Sequence, residues 1–326
     1  MSAETSGGWA IETLGLTKRF KRRGPAVVDG LDLRVPRGSV YGFIGLNGAG
    51  KSTTIRMLLG LLPPTSGGCL LGGIDPQREP VRARRGVGYV PDRLTAYSWM
   101  RIARLVEFCE AMQGKWDRQE VERMLVRGRI DPAQRVGKLS KGTAAKLSLV
   151  LALGHDPDIL ILDEPTDGLD PIARDEFLEH VIGSVCDRGR TVLMSSHSLA
   201  DVQRMADTIG LIHEGKMLLQ ARTDDLLAQT KRVRAVLDDP SAAPAAAALR
   251  PAGLVWSRIE GRQWTLTIRG CSDETLAQVR AAGAKSIEVQ DMSLDDIFRD
   301  VVRGHEARQS APAVATAILA EALTCS

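Results

Sequence analysis

Gly45-Leu46-Asn47-Gly48-Ala49-Gly50-Lys51-Ser52 fits the spacing G-x-x-x-x-G-K-[ST], with Thr53 directly after it. Residues of these types at this spacing build a cradle for polyphosphate. The glycines let the backbone curl until successive N–H groups point inward, and a helix beginning behind the loop adds partial positive charge. Lys51 is expected to bridge the β- and γ-phosphates of a nucleoside triphosphate, and Ser52 to ligate Mg2+. A second grouping is Ile159-Leu160-Ile161-Leu162-Asp163-Glu164, four apolar residues ending in two acids. Such a run suits a strand buried on both faces, whose end delivers the carboxylates to the ligand-binding edge of a sheet. Asp163 is expected to hold Mg2+, and Glu164 to orient or deprotonate an attacking water. Taken alone, the same run reads equally well as an ordinary strand end. His197 closes the apolar strand TVLMSSH; it either serves a terminal phosphate or its water, or is a structural histidine at a strand end.

Side chains so placed need an α/β frame. From Ala10 to about Gln229, short β-rich runs alternate with amphipathic stretches, the pattern of a largely parallel sheet covered by helices. The spacing predicts strands at Val40–Ile44, Val87–Val90, Ile159–Leu162 and Val192–Ser195, and the phosphate loop then lies between a strand and the helix STTIRMLLGLL as its chemistry requires. Residues 94–153 carry apolar residues at helical spacing and read as a helical insertion. We expect a first domain over 1–230, an α+β accessory domain over 231–304 with a Pro/Ala-rich loop at 238–253, and a flexible tail over 305–326. In the accessory domain LVWSRI and WTLTIR flank Glu260-Gly261 like a hairpin. A helix near 274–282, a strand near 286–289 and a last helix opening on a Ser293 capping box follow.

The bulk numbers set limits. A chain of 326 residues with 44% hydrophobic content can bury the cores of two domains, and 43 basic against 40 acidic residues, net +3, demand no nucleic acid partner. The longest apolar runs fall well short of the roughly 18–20 residues that span a bilayer, and the N-terminus lacks the pattern of a secretory signal, so a cytoplasmic location is expected. Cys69, Cys109, Cys186, Cys271 and Cys325 are scattered without metal-ligand spacing and are expected as reduced thiols.

Five segments together resemble the nucleotide-binding subunit of ABC transporters over about residues 11–227. They occur in that family's order: GLNGAGKST, VGYVPD, LSKGT, ILILDEPTDGLDP and SSHSL. The resemblance implies a P-loop NTPase core with an N-terminal antiparallel β subdomain, ATP and Mg2+ as ligands, and ATP hydrolysis. It implies that Ser140 and the Gly142 backbone meet the γ-phosphate held by a second ATPase subunit, a copy or a paralogue, and that Asp170 lies at the seam of that dimer. Read without it, LSKGT is a helix cap and GLDP a turn entering a helix. Phe20 matches the aromatic residue that stacks on adenine, although core packing accounts for it equally well. Asp92 stands where the family has glutamine. An acid there can still serve Mg2+ or its water, while adding negative charge beside Asp163 and Glu164. Lys141 and Thr143 are further departures. The resemblance also implies a separate integral membrane permease that docks near Tyr97, Trp99 and Met100, and attachment to the inner face of the cell membrane through it. MSLDDIF near the end of the accessory domain resembles exporters of the ABC-2 type and implies export. A soluble ABC-type ATPase acting on ribosomes or DNA is the alternative.

Overall fold

The computed structural model describes the backbone of residues 8–323, and the side chains among them except at 184–187 and 310–323. The chain divides into two units between Gln220 and Ala221, upstream of the boundary expected at 230. The reason is the short helix Thr223–Gln229, whose last residue offers its carbonyl to the N–H of Gly270 at 2.9 Å and so belongs with the accessory sheet.

The first unit is built on a six-stranded sheet in the order 216–222, 208–213, 40–44, 191–196, 159–163, 87–90. The strands Thr208–His213, Val40–Ile44, Thr191–Ser196, Ile159–Asp163 and Val87–Val90 pair in parallel. Every residue of Val40–Ile44, Ile159–Asp163 and Thr191–Ser196 is buried, which is why these segments read as unbroken apolar runs. Parallel register brings their carboxyl ends to one edge: Ile44 lies opposite Ser196, and Asp163 opposite Ser195. Beside this sheet stands an antiparallel one, in which Trp9–Lys18 pairs with Val28–Leu31, Arg34–Pro36 and Ser66–Leu71. Ile11, Leu16, Val35, Phe43, Ile55 and Ile161 belong to the one core cluster that these layers share. The insertion is helical as expected, with helices at Ile102–Met112, Arg118–Arg127 and Lys141–Leu153.

The second unit is a four-stranded antiparallel sheet in the order 254–260, 263–269, 230–237, 284–291. The hairpin about Gly261 and the Ser293 cap are present, the latter with Asp296 N donating to Ser293 Oγ at 3.2 Å. Three expectations are corrected here. The central strand Thr230–Leu237 has no counterpart in the sequence reading; Val233, Ala235 and Leu237 alternate inward as in a half-buried strand, a short pattern set directly after the helix Thr223–Gln229. The Pro/Ala-rich stretch is not a loop: Ala243–Ala248 is helical, and Ala246 is buried against Trp264 and Leu266 in the accessory core. Alanine needs little space there and loses no side-chain entropy in a helix. The last helix runs from Leu294 to Leu323, through most of the stretch expected as a tail, as its alanine content favours; residues 324–326 lie outside the described residues. No helix among the described residues is long and apolar enough to cross a membrane. Cys69, Cys109 and Cys271 are free thiols; the Cys186 side chain and Cys325 lie outside the described residues.

Candidate functional site

The phosphate loop leaves the sheet at Ile44 and enters the helix Lys51–Leu58. Two of its glycines are dictated by contact. A Cβ at Gly45 would collide with the Ile212 carbonyl, and at Gly50, where φ is +111°, one would stand 2.7 Å from the Val27 carbonyl. Ala49 is buried and its carbonyl accepts from Gly215 N at 3.0 Å, which pins the middle of the loop to the neighbouring hairpin. The Leu46 side chain is exposed, whereas Asn47, Gly48, Gly50, Lys51, Ser52 and Thr53 line a cavity of about 330 Å³ together with Val27, Asp92, Glu164, Asp167 and His197.

Lys51 is almost wholly buried at the wall of this cavity. Its ammonium donates to the Gly45 carbonyl at 2.6 Å and the Leu46 carbonyl at 3.2 Å, and lies 2.9 Å from Glu164 Oε1. Asp163 ends its strand facing two hydroxyls: Ser52 Oγ donates to Oδ1 at 3.0 Å and Ser195 Oγ at 2.8 Å. Burial pushes the Asp163 carboxyl above the usual carboxylate range and the charges of Asp92 and Glu164 push it further, while the Ser195 and Ser52 hydroxyls pull it back. The charge expected of Asp92 thus reaches Asp163, and Asp92 itself is exposed at the cavity edge.

Glu164 adopts φ +49°, a left-handed backbone that disfavours most side chains. It is held there by its own N–H donating to Ser195 Oγ at 2.9 Å and by its carbonyl accepting from Asp167 N at 3.1 Å. The turn swings the carboxylate toward His197, whose backbone N–H reaches Oε2 at 3.2 Å and whose Nδ1 lies 2.8 Å from the same oxygen. Residues from four segments distant in sequence therefore meet at one sheet edge.

The donor set fits Mg2+. Ser52 Oγ and Asp163 Oδ1 are adjacent hard oxygens of the kind this ion takes, whereas Glu164 Oε1 is already engaged by the Lys51 ammonium at 2.9 Å. Among the described residues no three His, Cys, Asp or Glu side chains cluster into a metal cage. That matches an ion completed by water and substrate phosphate oxygens rather than by protein alone.

The remaining expected site residues lie away from the lining of this cavity. Ser140 caps the helix Lys141–Leu153, accepting from Thr143 N at 3.1 Å. Gly142 follows in its first turn, and Asp170 accepts from Ala173 N at 2.9 Å at the start of the helix Pro171–Arg188. The reading of these two segments as a cap and a helix-entering turn therefore describes their contacts within this chain. Phe20 is 63% exposed, with Lys18 Nζ 5.5 Å from its ring centroid, so core packing does not account for it. Tyr97 and Trp99 are exposed and stacked on each other, centroids 5.6 Å apart. Asp167 lines the cavity but was not singled out by sequence, because an acid before Gly-Leu-Asp-Pro reads as a turn residue. Its signal was proximity, three residues beyond Glu164.

A phosphate loop leading into a helix at the carboxyl edge of a parallel sheet, with an Asp-Glu pair on a nearby strand end, defines a nucleoside-triphosphate-binding domain. The family model described as "ABC transporter" matches residues 28–167, and the chain belongs to this family as an ATP-binding subunit. It is 36% identical over 234 residues to the "Probable multidrug ABC transporter ATP-binding protein YbhF" of Escherichia coli (strain K12), a match covering 69% of this chain and 39% of that one. The match thus spans well under half the length of YbhF. It is 35% identical to the "Bacitracin transport ATP-binding protein BcrA" of Bacillus licheniformis, over 68% of this chain and 72% of that one. A solved "Structure of ATP binding subunit of ABC transporter" superposes with a TM-score of 0.61 at 29% identity, covering 67% of this chain and 92% of that one.

Proposed function

We propose that this chain binds ATP with Mg2+ in the cavity at the sheet edge, hydrolyses it, and powers export through a separate membrane permease. The convergence of Lys51, Ser52, Glu164 and His197 on one cavity, with Asp163 buried behind it and bonded to Ser52, carries this reading. Lys51 and the loop N–H groups hold the phosphates, and Ser52 and Asp163 hold the ion. When bound, Mg2+ neutralises charge developing on the phosphate oxygens. Glu164 accepts a proton from the attacking water, and His197 fixes the carboxylate through its N–H and Nδ1.

Ser140, Gly142 and Asp170 are proposed to act on the nucleotide of a second ATPase subunit, and Phe20 to stack on adenine. The exposure of Ser140 and Phe20 supports their availability. Tyr97, Trp99 and Met100 are proposed as contacts for the permease, which would bring the chain to the inner face of the cell membrane. The similarity to a probable multidrug and a bacitracin transport protein supports export over action on ribosomes or DNA.

The test pairs two variants. Lys51→Ala abolishes binding of a fluorescent ATP analogue, whereas Glu164→Gln keeps it and elutes as a dimer with Mg-ATP. Turnover of Glu164→Gln close to wild type contradicts the role of Glu164. Isolation of the full chain from membranes should recover a polytopic protein; recovery with ribosomes or nucleic acid instead overturns the transport reading.

A further inference from the structure

We propose that Asp167 is a positioning residue for His197, itself held in place by Lys141; this rests on reading the cavity as an ATP-hydrolysing site. The two carboxylate oxygens of Asp167 face different partners. Oδ2 accepts from Lys141 Nζ at 3.5 Å, and Oδ1 lies 3.8 Å from His197 Nε2, within ion-pair reach though beyond hydrogen-bond distance. The other ring nitrogen, Nδ1, lies 2.8 Å from Glu164 Oε2. The imidazole therefore has a carboxylate near each nitrogen, Glu164 at hydrogen-bond distance and Asp167 in looser electrostatic reach.

Lys141 is placed by packing. Its ammonium lies over Gly168, 2.3 Å from where a Cβ would stand, so a side chain at 168 would require it to shift. The helix that Lys141 opens lies close to the next one: a Cβ on Gly142 would stand 2.9 Å from Ala173 Cβ, and Lys146 forms an ion pair with Glu176. The beginning of the helix Lys141–Leu153 is thereby laced to the turn and helix that follow the catalytic carboxylates. Displacement of the Ser140 cap is passed through Lys141 and Asp167 to the ring that orients Glu164. Both side chains of the Lys141–Asp167 pair are about half exposed, at 49% and 55%, and pairs of that kind add little to stability. Its loss is accordingly read in turnover and not in melting temperature.

The experiment uses the full chain with Mg-ATP. Asp167→Asn keeps the shape and removes the charge. It should lower kcat about fivefold while KM stays within about twofold and the melting temperature is unchanged, and Asp167→Glu should restore turnover. A readout independent of activity is the Nε2 chemical shift of His197 in protein labelled with 15N-histidine, assigned by its loss in His197→Ala. It should move in Asp167→Asn, move in the same sense in Lys141→Gln, and return in Asp167→Glu. A ring shift that does not move, or a turnover loss that Asp167→Glu fails to restore, overturns the proposal. If the wild-type chain does not turn over Mg-ATP, the functional reading itself fails, and the histidine shift alone then decides whether Asp167 positions the ring.

Discussion

Asp163 in the ATPase unit and Asp300 in the accessory unit are both buried, at 3% and 0% exposure, but their surroundings are opposed. Asp300 accepts from Arg232 Nη2 at 2.7 Å and Thr267 Oγ1 at 2.6 Å, and Arg303 lies 3.7 Å away. Two guanidinium groups balance it, and Arg232 in turn is held above its ordinary range: burial works against the charge, but Asp300 outweighs it. Asp163 meets only hydroxyls, and the charges near it are the like ones of Asp92 and Glu164. A buried charge with guanidinium partners is held by the fold; one in a like-charged neighbourhood is suited to a cation from outside. The accessory unit's acid has its cations within the fold, although its Oδ1 accepts no hydrogen bond, whereas only like charges act on the ATPase unit's acid.

Four measurements break or sharpen that contrast. The largest effect is expected for Glu164→Gln, with kcat lowered by about 10²–10⁴-fold and KM for Mg-ATP near wild type, read by steady-state phosphate release. Next, Asp300→Ala removes the buried carboxylate that Arg232 and Thr267 donate to, leaving Arg232 only Asp296 at 3.5 Å, and should destabilise the accessory unit by about 2 kcal/mol, read by urea unfolding. If it costs nothing, the contrast collapses.

Asp163→Asn is expected to do the reverse, stabilising the nucleotide-free chain by about 1 kcal/mol while ending metal-dependent turnover. The sign follows from the raised carboxyl: the folded chain holds this proton more tightly than the unfolded one. Asp163 therefore favours the folded state as pH falls through its range and disfavours it as pH rises. The gain from Asp163→Asn should be full at neutral pH and vanish in acid. Asp296 in the accessory unit, lowered chiefly by the Ser293 hydroxyl, has the opposite sense, and its contribution is lost as pH falls. The smallest effect belongs to Asp92→Asn, which should change turnover by less than about tenfold and more than it changes affinity for Mg-ATP. No change in either makes Asp92 a bystander to the charge on Asp163.

Much of the site was legible because its residues are contiguous where their chemistry demands it. The octet Gly45–Ser52 carries its own geometry, and Asp163-Glu164 ends a run whose full burial is visible as four apolar residues. What the sequence hid depends on contacts between distant segments. Ser195 supports both Asp163 and Glu164, yet within TVLMSSH nothing distinguishes it from Ser196. Asp167 becomes a site residue only when Lys141 and His197 are brought beside it. In the accessory unit the errors share one cause: local composition was read without the partner surface. Residues 243–248 have the composition of a linker, but Trp264 and Leu266 give their small side chains something to pack on. In Thr230–Leu237, Lys231 is answered by Asp291 and Arg232 by Asp296 and Asp300, partners far along the chain.

The left-handed backbone of Glu164 also bears on how this protein would respond to selection. An ordinary side chain in that conformation costs of order 1 kcal/mol relative to glycine or asparagine. A library randomised at position 164 and screened for heat resistance alone would therefore enrich those two residues and return a hardier, idle protein. Laboratory evolution of this chain must score turnover in every round, because one of its four left-handed non-glycine residues among those described is the proposed catalytic carboxylate.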